Sequence, residues 1–193
     1  LRSRPTLSVD DVFIQPSYRN SSLKADVTVS NVKNHIVDFT TTCRVADRNG
    51  KTVLNLGTEN CRVKGNAETR ISFRKKWPDP RLWMPDDPHL YYLETTLREK
   101  GQTVDVYRDR FGFRESWIDG RDFYVNGKIM HFHRLTYNPG AERPRDQNHE
   151  WMRSVFRLHK DLGFNLFRTF SKAPYIMLEA ADEEGALLLV KSG

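Results

Sequence analysis

The chain has 193 residues, of which 38% are hydrophobic and 11% aromatic, so it can form one large or two small packed domains. No apolar run approaches the roughly 20 residues of a membrane-spanning helix, and the first residues lack the apolar core of a signal peptide, which predicts no membrane association. The formal net charge of +6 does not indicate nucleic acid binding, because basic residues are dispersed among acidic ones.

Residues 1–115 alternate apolar and polar side chains in about seven short segments, which is typical of antiparallel strands with one buried face. The segments begin near Asp11 and end with Gln102 to Phe113, and an Asn49-Gly50 turn joins two of them. The polar row that includes Asp26 is predicted to face solvent. This pattern predicts an immunoglobulin-like β-sandwich without the cysteine pair of antibody domains. The rows predicted to face the core are Leu23-Ala25-Val27-Val29, Phe39-Thr41-Cys43-Val45, Ala67-Thr69-Ile71-Phe73 and Tyr91-Leu93-Thr95-Leu97.

Neither the two cysteines nor the longest basic cluster indicates a ligand site. Cys43 lies in phase with the apolar residues of a predicted strand and is interpreted as a buried thiol, whereas pairing with Cys61 stays open. The cluster from Arg74 to Lys76 ends a predicted strand, where exposed charges discourage pairing with other chains. Because no Cys or His spacing matches a zinc site, we predict no metal, no cofactor and no nucleic acid partner.

The segment from Trp77 to Tyr91 contains four prolines, which fix φ and remove amide donors. Such a density of prolines is typical of a loop and excludes a central strand. We predict a loop that crosses the edge of the sandwich and is held in place by Trp77 and Trp83.

Two short pairs of turn-forming residues follow in residues 110–128. Asp119-Gly120 and Asn126-Gly127 are each flanked by strand-like residues, and both pairs tolerate the positive φ of tight turns. We predict two successive hairpins that form a rigid joint between the last sandwich strand and the segment that follows.

After residue 128, short apolar runs alternate with helical patterns. The runs from Ile129 to Phe132, Phe164 to Phe170 and Ala186 to Val190 are predicted strands, the last one buried on both faces. Two helices are predicted between them, and the β-α-β-α-β order predicts a parallel sheet.

The ends of both predicted helices carry recognisable signals. The first helix is predicted to be capped by Asn148 or Asp146 and stopped by Gly163. The second is predicted to open at Ser171 and Pro174 and to end at Gly185. The apolar stripe of the first helix consists of Trp151, Met152, Val155, Phe156, His159 and Leu162.

Three parallel strands do not make a domain, because such strands need helices over both faces and neighbours at both edges. Residues 116–193 are therefore interpreted as the first part of a longer domain, and the chain, which begins at Leu1 without an initiator methionine, as a piece of a longer protein. Alone, such a piece is expected to expose apolar strand edges and to self-associate. The compartment is left open, with a periplasmic or secreted parent compatible with the sequence.

Four short motifs carry a family resemblance. Phe111 to Glu115 followed by Phe123 to Lys128 resembles the junction between sandwich and barrel in glycoside hydrolase family two, which includes β-galactosidases, β-glucuronidases and β-mannosidases. The other matching motifs are Trp83-Pro85-Pro88-Leu90-Tyr91, Asn165 to Thr169 and Ala181 to Leu188. The resemblance implies an all-β immunoglobulin-like sandwich followed by the first βαβαβ segment of a (β/α)8 barrel, in a retaining glycosidase that acts on carbohydrate.

The resemblance also implies where chemistry resides. The family uses two glutamates on later barrel strands, which would lie beyond Gly193, so this segment alone is expected to be inactive. Glu179, Glu183 and Glu184 lie on a predicted helix outside the barrel, so they are not expected to replace the two catalytic glutamates. For Arg168 a buried ion pair and a substrate contact stay equally open, whereas His131, His133 and Trp117 are interpreted as packing or surface residues. The residues expected to line the sugar pocket by position are Arg134, Thr136, Tyr137, Asn138, Arg168 and Ser171.

Two positions depart from the family pattern and leave the sugar open. After the first barrel strand the family commonly has a Gly and a sugar-binding His, where this chain has Arg134 to Tyr137. After the second strand, Phe170 to Pro174 again lacks the His that galactosidases and glucuronidases often have. A different class of function, a non-catalytic carbohydrate-binding or spacer module, is the alternative prediction.

Overall fold

A computed structural model describes residues 5–137, 148–170 and 172–190. The chain forms two compact units: the first comprises residues 1–80 and 91–111, and the second comprises residues 81–90 and 112–193. No helix in the described ranges is long and apolar enough to cross a membrane. The elements, in chain order, are β1 (Leu7–Ser17), β2 (Ser22–Asn31), β3 (Val37–Ala46), β4 (Thr52–Val63), β5 (Ala67–Lys76), β6 (Trp83–Met84), β7 (Asp87–Pro88), β8 (Leu90–Glu99), β9 (Gln102–Gly112), β10 (Ser116–Asp119), β11 (Asp122–Val125), β12 (Lys128–Ile129), β13 (Arg134–Thr136), α1 (His149–Asp161), β14 (Leu166–Thr169), α2 (Tyr175–Glu184) and β15 (Leu187–Val190).

The first unit is an all-β sandwich, as predicted. One sheet has the order β1-β2-β5 and the other the order β4-β3-β8-β9. The predicted inward rows on β2, β3 and β8 are buried, whereas on β5 only Ile71 and Phe73 reach the core. Cys43 is buried and Cys61 half-buried, and both thiols are free. Burial raises the pKa of Cys43 to about 11.

Asp26 is a correction to the sequence analysis, because this residue of the predicted solvent row is buried. Its carboxylate accepts hydrogen bonds from Ser72 Oγ (2.5 Å), Lys24 Nζ (2.9 Å), Arg70 (2.7 Å) and Gln15 Nε2 (3.1 Å). The hydrogen bond from Ser72, with further contributions from Lys24 and Arg70, lowers the pKa of Asp26 to about 2 despite burial. Three of the four donors lie on the neighbouring strands β1 and β5, so alternation within β2 alone did not reveal them.

Asp26→Asn is expected to remove an acid-dependent part of the stability of the sandwich. The folded pKa of about 2 lies below the unfolded value near 3.8, so the ionised carboxylate stabilises the fold above pH 4 and this contribution is lost as the pH falls toward 2. Urea denaturation at pH 5 and pH 2 should show a gap between wild type and variant that shrinks at the lower pH. Asp38→Asn, which removes an exposed carboxylate paired with Arg62, is the control and should show a much smaller gap. An equal gap at both pH values would contradict the prediction.

The second unit contains the predicted parallel sheet, with the order β13-β14-β15. Helices α1 and α2 cover one face, where the rings of Phe156 and Phe167 meet edge to face at 4.7 Å. Together with Met152 and Met177 these side chains are fully buried. We call this packing cluster the helix-side core.

The predicted helix ends are confirmed where the structure describes them, and Asp146 and Ser171 lie outside the described residues. The Asn148 side chain accepts a hydrogen bond from the Trp151 backbone N–H (2.9 Å) and caps α1. Pro174 precedes α2, and Gly185 ends it in the left-handed conformation. The predicted stripe of α1 was too wide, because Trp151 and Leu162 are exposed while only its central residues reach the core.

The two hairpins are also confirmed, with one shift. Asp119 pairs with Asp122, so the first loop consists of Gly120 and Arg121 and is displaced by one residue from the predicted pair. Val125 pairs with Lys128, and both Asn126 (φ 47°) and Gly127 (φ 81°) adopt positive φ, as a type I′ turn requires.

The first parallel strand was predicted too early. Ile129 is the last residue of β12, which returns antiparallel against β11 in the second hairpin, and the first parallel strand is β13, Arg134–Thr136. Two of the three residues of β13 are polar, so no apolar run marked it. Arg134 and Thr136 therefore lie on the strand and not after it.

The last strand is less buried than predicted. Ala186 is buried and Leu187 and Leu188 are half-buried, but Leu189 and Val190 are 49% and 38% exposed. Strand β15 is an edge strand of its sheet, since β14 is its partner on one side and α2 covers one face only. The continuous apolar run predicted full burial because such runs are typical of strands covered on both faces. The sequence of one strand does not show which neighbouring strands and helices are present.

Candidate functional site

The two faces of the parallel sheet carry different side chains. Leu135, Phe167 and Leu188 occupy equivalent register positions, and all three belong to or pack against the helix-side core. Because side chains alternate along a strand, their neighbours project from the opposite face. Four of these neighbours are Arg134, Thr136, Leu166 and Arg168, and we call the surface they define the arginine face.

Arg168 is the central residue of the arginine face. It pairs in register with Thr136, and its guanidinium carbon lies 4.6 Å from the ring centroid of Phe170. Within residues 5–137, 148–170 and 172–190, no carboxylate is recorded at ion-pair distance from it. The partner that holds the guanidinium is therefore an aromatic ring, in a cation–π contact. Sequence reasoning missed this contact, although Phe170 follows β14 directly and lies two positions after Arg168, the spacing that places side chains on the same face of a strand.

Tyr137 does not join Arg168 on the arginine face. The backbone N–H of Tyr137 donates to the Arg168 carbonyl oxygen (3.0 Å), which continues the pairing of β13 with β14. The Tyr137 side chain packs against the helix-side core. Asn138 and Ser171 lie outside the described residues. Of the six predicted pocket residues, the structure places Arg134, Thr136 and Arg168 on one surface.

Several motif residues instead form a structural cluster around a buried indole, which we call the tryptophan cluster: Trp83, Arg114, Asn126 and Asp182. The Trp83 side chain is fully buried, and its indole Nε1–H donates to the Asp182 carbonyl oxygen (2.8 Å). Arg114 forms an ion pair with the Asp182 carboxylate (2.9 Å) and stacks over the indole ring at 4.4 Å. These contacts fix the C-terminal part of α2 just before β15 begins.

Asn126 belongs both to the second hairpin turn and to one of the four family motifs, and its side chain makes contacts beyond the turn. Its side-chain amide donates to the carbonyl oxygens of Trp83 (3.0 Å) and Phe113 (3.1 Å) and accepts from the Glu115 backbone N–H (2.8 Å). The residue is buried at positive φ, so one asparagine supplies both the turn geometry and three hydrogen bonds. The sequence identified the turn but not these partners.

Asn165 has a similar structural role at the start of the parallel sheet. Its side-chain oxygen accepts from the His133 backbone N–H (2.9 Å), and its amide donates to the His131 carbonyl oxygen (2.7 Å). These bonds align the segment before β13 with the segment before β14. His131 and His133 themselves are exposed, as predicted.

Glu183 and Glu184, two of the three α2 glutamates that the sequence analysis set aside, are held in ion pairs. Glu184 accepts from Arg153 Nε (2.6 Å) and Arg157 (3.0 Å). Burial raises the pKa of Glu184, but the hydrogen bonds from Arg157 and Arg153 outweigh it, so the net pKa is lowered. A carboxylate held ionised by two arginines of α1 is unsuited to general acid catalysis. Among the described residues no cluster of three or more His, Cys, Asp or Glu side chains is arranged to hold a metal.

An apolar cavity of about 730 Å³ lies within the second unit beside β15. Leu166 and Leu178 line it together with residues 186–190, and Phe123 and Phe132 lie at its wall. The cavity and the exposed Leu189 form an apolar surface along the last strand.

The comparisons with known proteins agree on one family. The family described as Glycosyl hydrolases family 2 matches residues 7–114, which is more than half of the chain. A beta-glucuronidase of Streptococcus agalactiae is 31% identical over 177 residues, covering 81% of this chain and 28% of that protein. The chain spans less than a third of the length of the first curated relatives it matches.

Solved structures show the same fold. A family 2 beta-galacturonidase from Eisenbergiella tayi bound to galacturonate aligns with 97% of this chain and 33% of its own, with a TM-score of 0.83 at 23% identity. A beta-glucuronidase of Bacteroides uniformis aligns with 96% of this chain and 24% of its own, with a TM-score of 0.78 at 25% identity.

Proposed function

Because this chain belongs to glycosyl hydrolases family 2, we propose that it is a segment of a longer retaining β-glycosidase that hydrolyses O-glycosidic bonds of β-uronides. In this proposal residues 1–115 are an immunoglobulin-like domain and residues 116–193 are the first βαβαβ part of a (β/α)8 barrel. The observation that carries it is the parallel sheet β13-β14-β15, with α1 and α2 on one face and arginines on the other.

The unfinished surface of β15 supports the assignment to a barrel. Exposed Leu189 and Val190, together with the neighbouring apolar cavity, are what a fourth parallel strand and its helix would bury. Without such partners, the open edge is expected to promote self-association of the isolated chain.

Catalysis requires groups from outside this chain. Retaining glycosidases use an acid/base and a nucleophilic carboxylate about 5 Å apart, at the carboxyl ends of barrel strands. We assign both catalytic glutamates to later barrel strands. The role that we assign to this chain is to position the sugar. The Arg168 guanidinium, near the carboxyl end of β14, would donate hydrogen bonds to hydroxyl or carboxylate oxygens of the ligand, whereas Arg134 begins β13. The proposed pocket residues are Arg134, Thr136, Asn138, Arg168 and Ser171, whereas Tyr137 is left out because its side chain packs against the helix-side core.

The choice of a uronide rests on the relatives and on charge. The curated relatives include several beta-glucuronidases, and the aligned structure from Eisenbergiella tayi is a beta-galacturonidase bound to galacturonate. An arginine face without a recorded carboxylate partner in the described residues suits an anionic sugar better than a neutral one.

The test is a screen of the full-length protein against nitrophenyl β-glycosides of glucuronic acid, galacturonic acid, galactose, glucose and mannose. We expect hydrolysis of a uronide with retention of anomeric configuration, and no hydrolysis by residues 1–193 alone. Preference for a neutral glycoside would overturn the uronide assignment. Absence of any hydrolysis by the full-length protein would favour a carbohydrate-binding or spacer module.

A further inference from the structure

A polar depression of about 540 Å³ lies on the first unit, at one end of the four-stranded sheet. Strands β3, β4 and β8 and the turn at Lys100-Gly101 contribute its lining. The proposed reaction does not use this surface. The polar side chains that line it are Asp38, Thr40, Asn60, Arg62, Arg98 and Lys100.

The register of the sheet places these side chains side by side. Thr40 pairs with Asn60 on β4 and with Arg98 on β8, so the three residues form one row across three strands. Because Phe39 is buried in the core, its neighbour Thr40 projects outward. A sheet holds such a row rigidly, which favours a preformed binding surface over an accidental one.

The turn beside this row is equally well defined. Lys100 (φ 51°) and Gly101 (φ 80°) both adopt positive φ between β8 and β9, as a two-residue type I′ turn requires. The turn sets the direction in which the Lys100 side chain leaves the backbone, next to Arg98.

The depression has a surplus of positive charge. Arg62 donates two hydrogen bonds to the Asp38 carboxylate (2.6 and 3.2 Å), so this pair neutralises itself. Arg98 donates only a long hydrogen bond to Thr103 Oγ1 (3.4 Å), and no partner is recorded for the Lys100 ammonium group in the part of the chain that the structure describes. Two cations therefore remain for a ligand.

The charge distribution along the chain points to the same unit. The first unit has 18 basic and 12 acidic residues, whereas the second has 13 of each. The entire net charge of +6 is thus carried by the sandwich. An anionic ligand would be attracted to this unit over a distance of about 10 Å at moderate ionic strength.

We propose that this depression binds a uronic acid residue of an oligosaccharide through its carboxylate. Arg98 and Lys100 bind the carboxylate, and the Thr40 hydroxyl and Asn60 amide bind sugar hydroxyls. The volume lies within the range of small-molecule sites, about 300 to 1,000 Å³. Because no exposed aromatic side chain lines the depression, it offers no stacking surface for nucleic acid bases. The choice of a uronate over other carboxylates rests on the proposed function, since the longer protein would act on the same class of sugar.

The test uses residues 1–193 as they stand, with the trisaccharide of galacturonic acid as the probe and the uncharged trisaccharide of galactose as its matched control. Titration followed by amide chemical shifts should move resonances of residues 38–40, 60–62 and 98–101 with the acidic probe only. Raising the salt concentration from 50 to 500 mM should weaken binding. No shifts in these segments, or equal shifts with the neutral sugar, would overturn the proposal.

Variants separate a specific site from general attraction to a basic protein. Arg98→Gln with Lys100→Asn removes both cations, and asparagine preserves the turn because it tolerates positive φ. We expect at least about a tenfold weaker affinity for this double variant. Arg48→Gln with Lys51→Gln removes the same charge from the exposed turn between β3 and β4 and should change the affinity less than about twofold.

Three further results would each decide one part of the proposal. Equal weakening by both double variants would show only non-specific charge attraction and would overturn the site. Equal affinity for a peptide of three glutamates would overturn the assignment to a saccharide. Binding of the acidic trisaccharide by a chain whose full-length parent hydrolyses no uronide would sustain the site and reject the proposed function, so the two failures are distinguishable.

Discussion

Trp83→Ala is expected to lower the free energy of unfolding of the second unit by about 3 to 5 kcal/mol. The Trp83 side chain is fully buried, so its removal leaves a cavity that the surrounding backbone cannot easily close. The variant also removes the indole N–H donor to the Asp182 carbonyl oxygen and the ring over which Arg114 stacks. Loss of these contacts frees the C-terminal part of α2.

The measurement is urea denaturation followed by circular dichroism at 222 nm. Both helices of the described structure belong to the second unit, so this signal reports on that unit. Trp151→Ala is the matched control, because Trp151 is 41% exposed on α1, and its loss should cost no more than about 1 kcal/mol. Similar costs for the two variants would show that the tryptophan cluster does not stabilise the second unit.

The elements that the sequence predicted correctly are those governed by local rules. The Asn126-Gly127 turn, the Asn148 cap and the Gly185 stop each depend on residues within one turn of chain. Strand β13 was misplaced because its few residues are mostly polar and its existence depends on pairing with β14, which lies beyond a helix. Local patterns carry no information about that partner.

The same distinction applies to the candidate site. Arg134 and Thr136 were predicted to follow the first parallel strand and Arg168 to lie around the second, so adjacent strands were expected to bring the three residues together. Tyr137 was expected beside them because the strand had been placed too early, and the observed register directs its ring to the helix-side core. The motifs identified the family, but the roles of Asn126 and Asp182 depend on contacts with Trp83, more than 40 residues away in sequence.

Gly185→Ala is expected to destabilise the second unit by about 3 kcal/mol or more, through two separate effects. Gly185 adopts φ 72°, where a Cβ costs about 1 to 2 kcal/mol of backbone strain. In addition, a Cβ would overlap the carbonyl oxygen of Pro85 and lie 2.8 Å from its carbonyl carbon. The Pro85 carbonyl cannot easily move away from this Cβ, because the Lys160 ammonium group donates both to the Pro85 oxygen and to the Glu184 carbonyl oxygen (both 2.5 Å).

Gly163→Ala separates the two effects. Gly163 follows α1 with φ 88°, but a Cβ there would meet no heavy atom within 4 Å. This variant should therefore show the backbone strain alone, about 1 to 2 kcal/mol in urea denaturation at 222 nm. The excess cost at Gly185 then measures how rigidly the segment around Pro85 is held against the end of α2. If both variants lose the same stability, the segment moves aside, and the close approach of Pro85 does not constrain the start of β15.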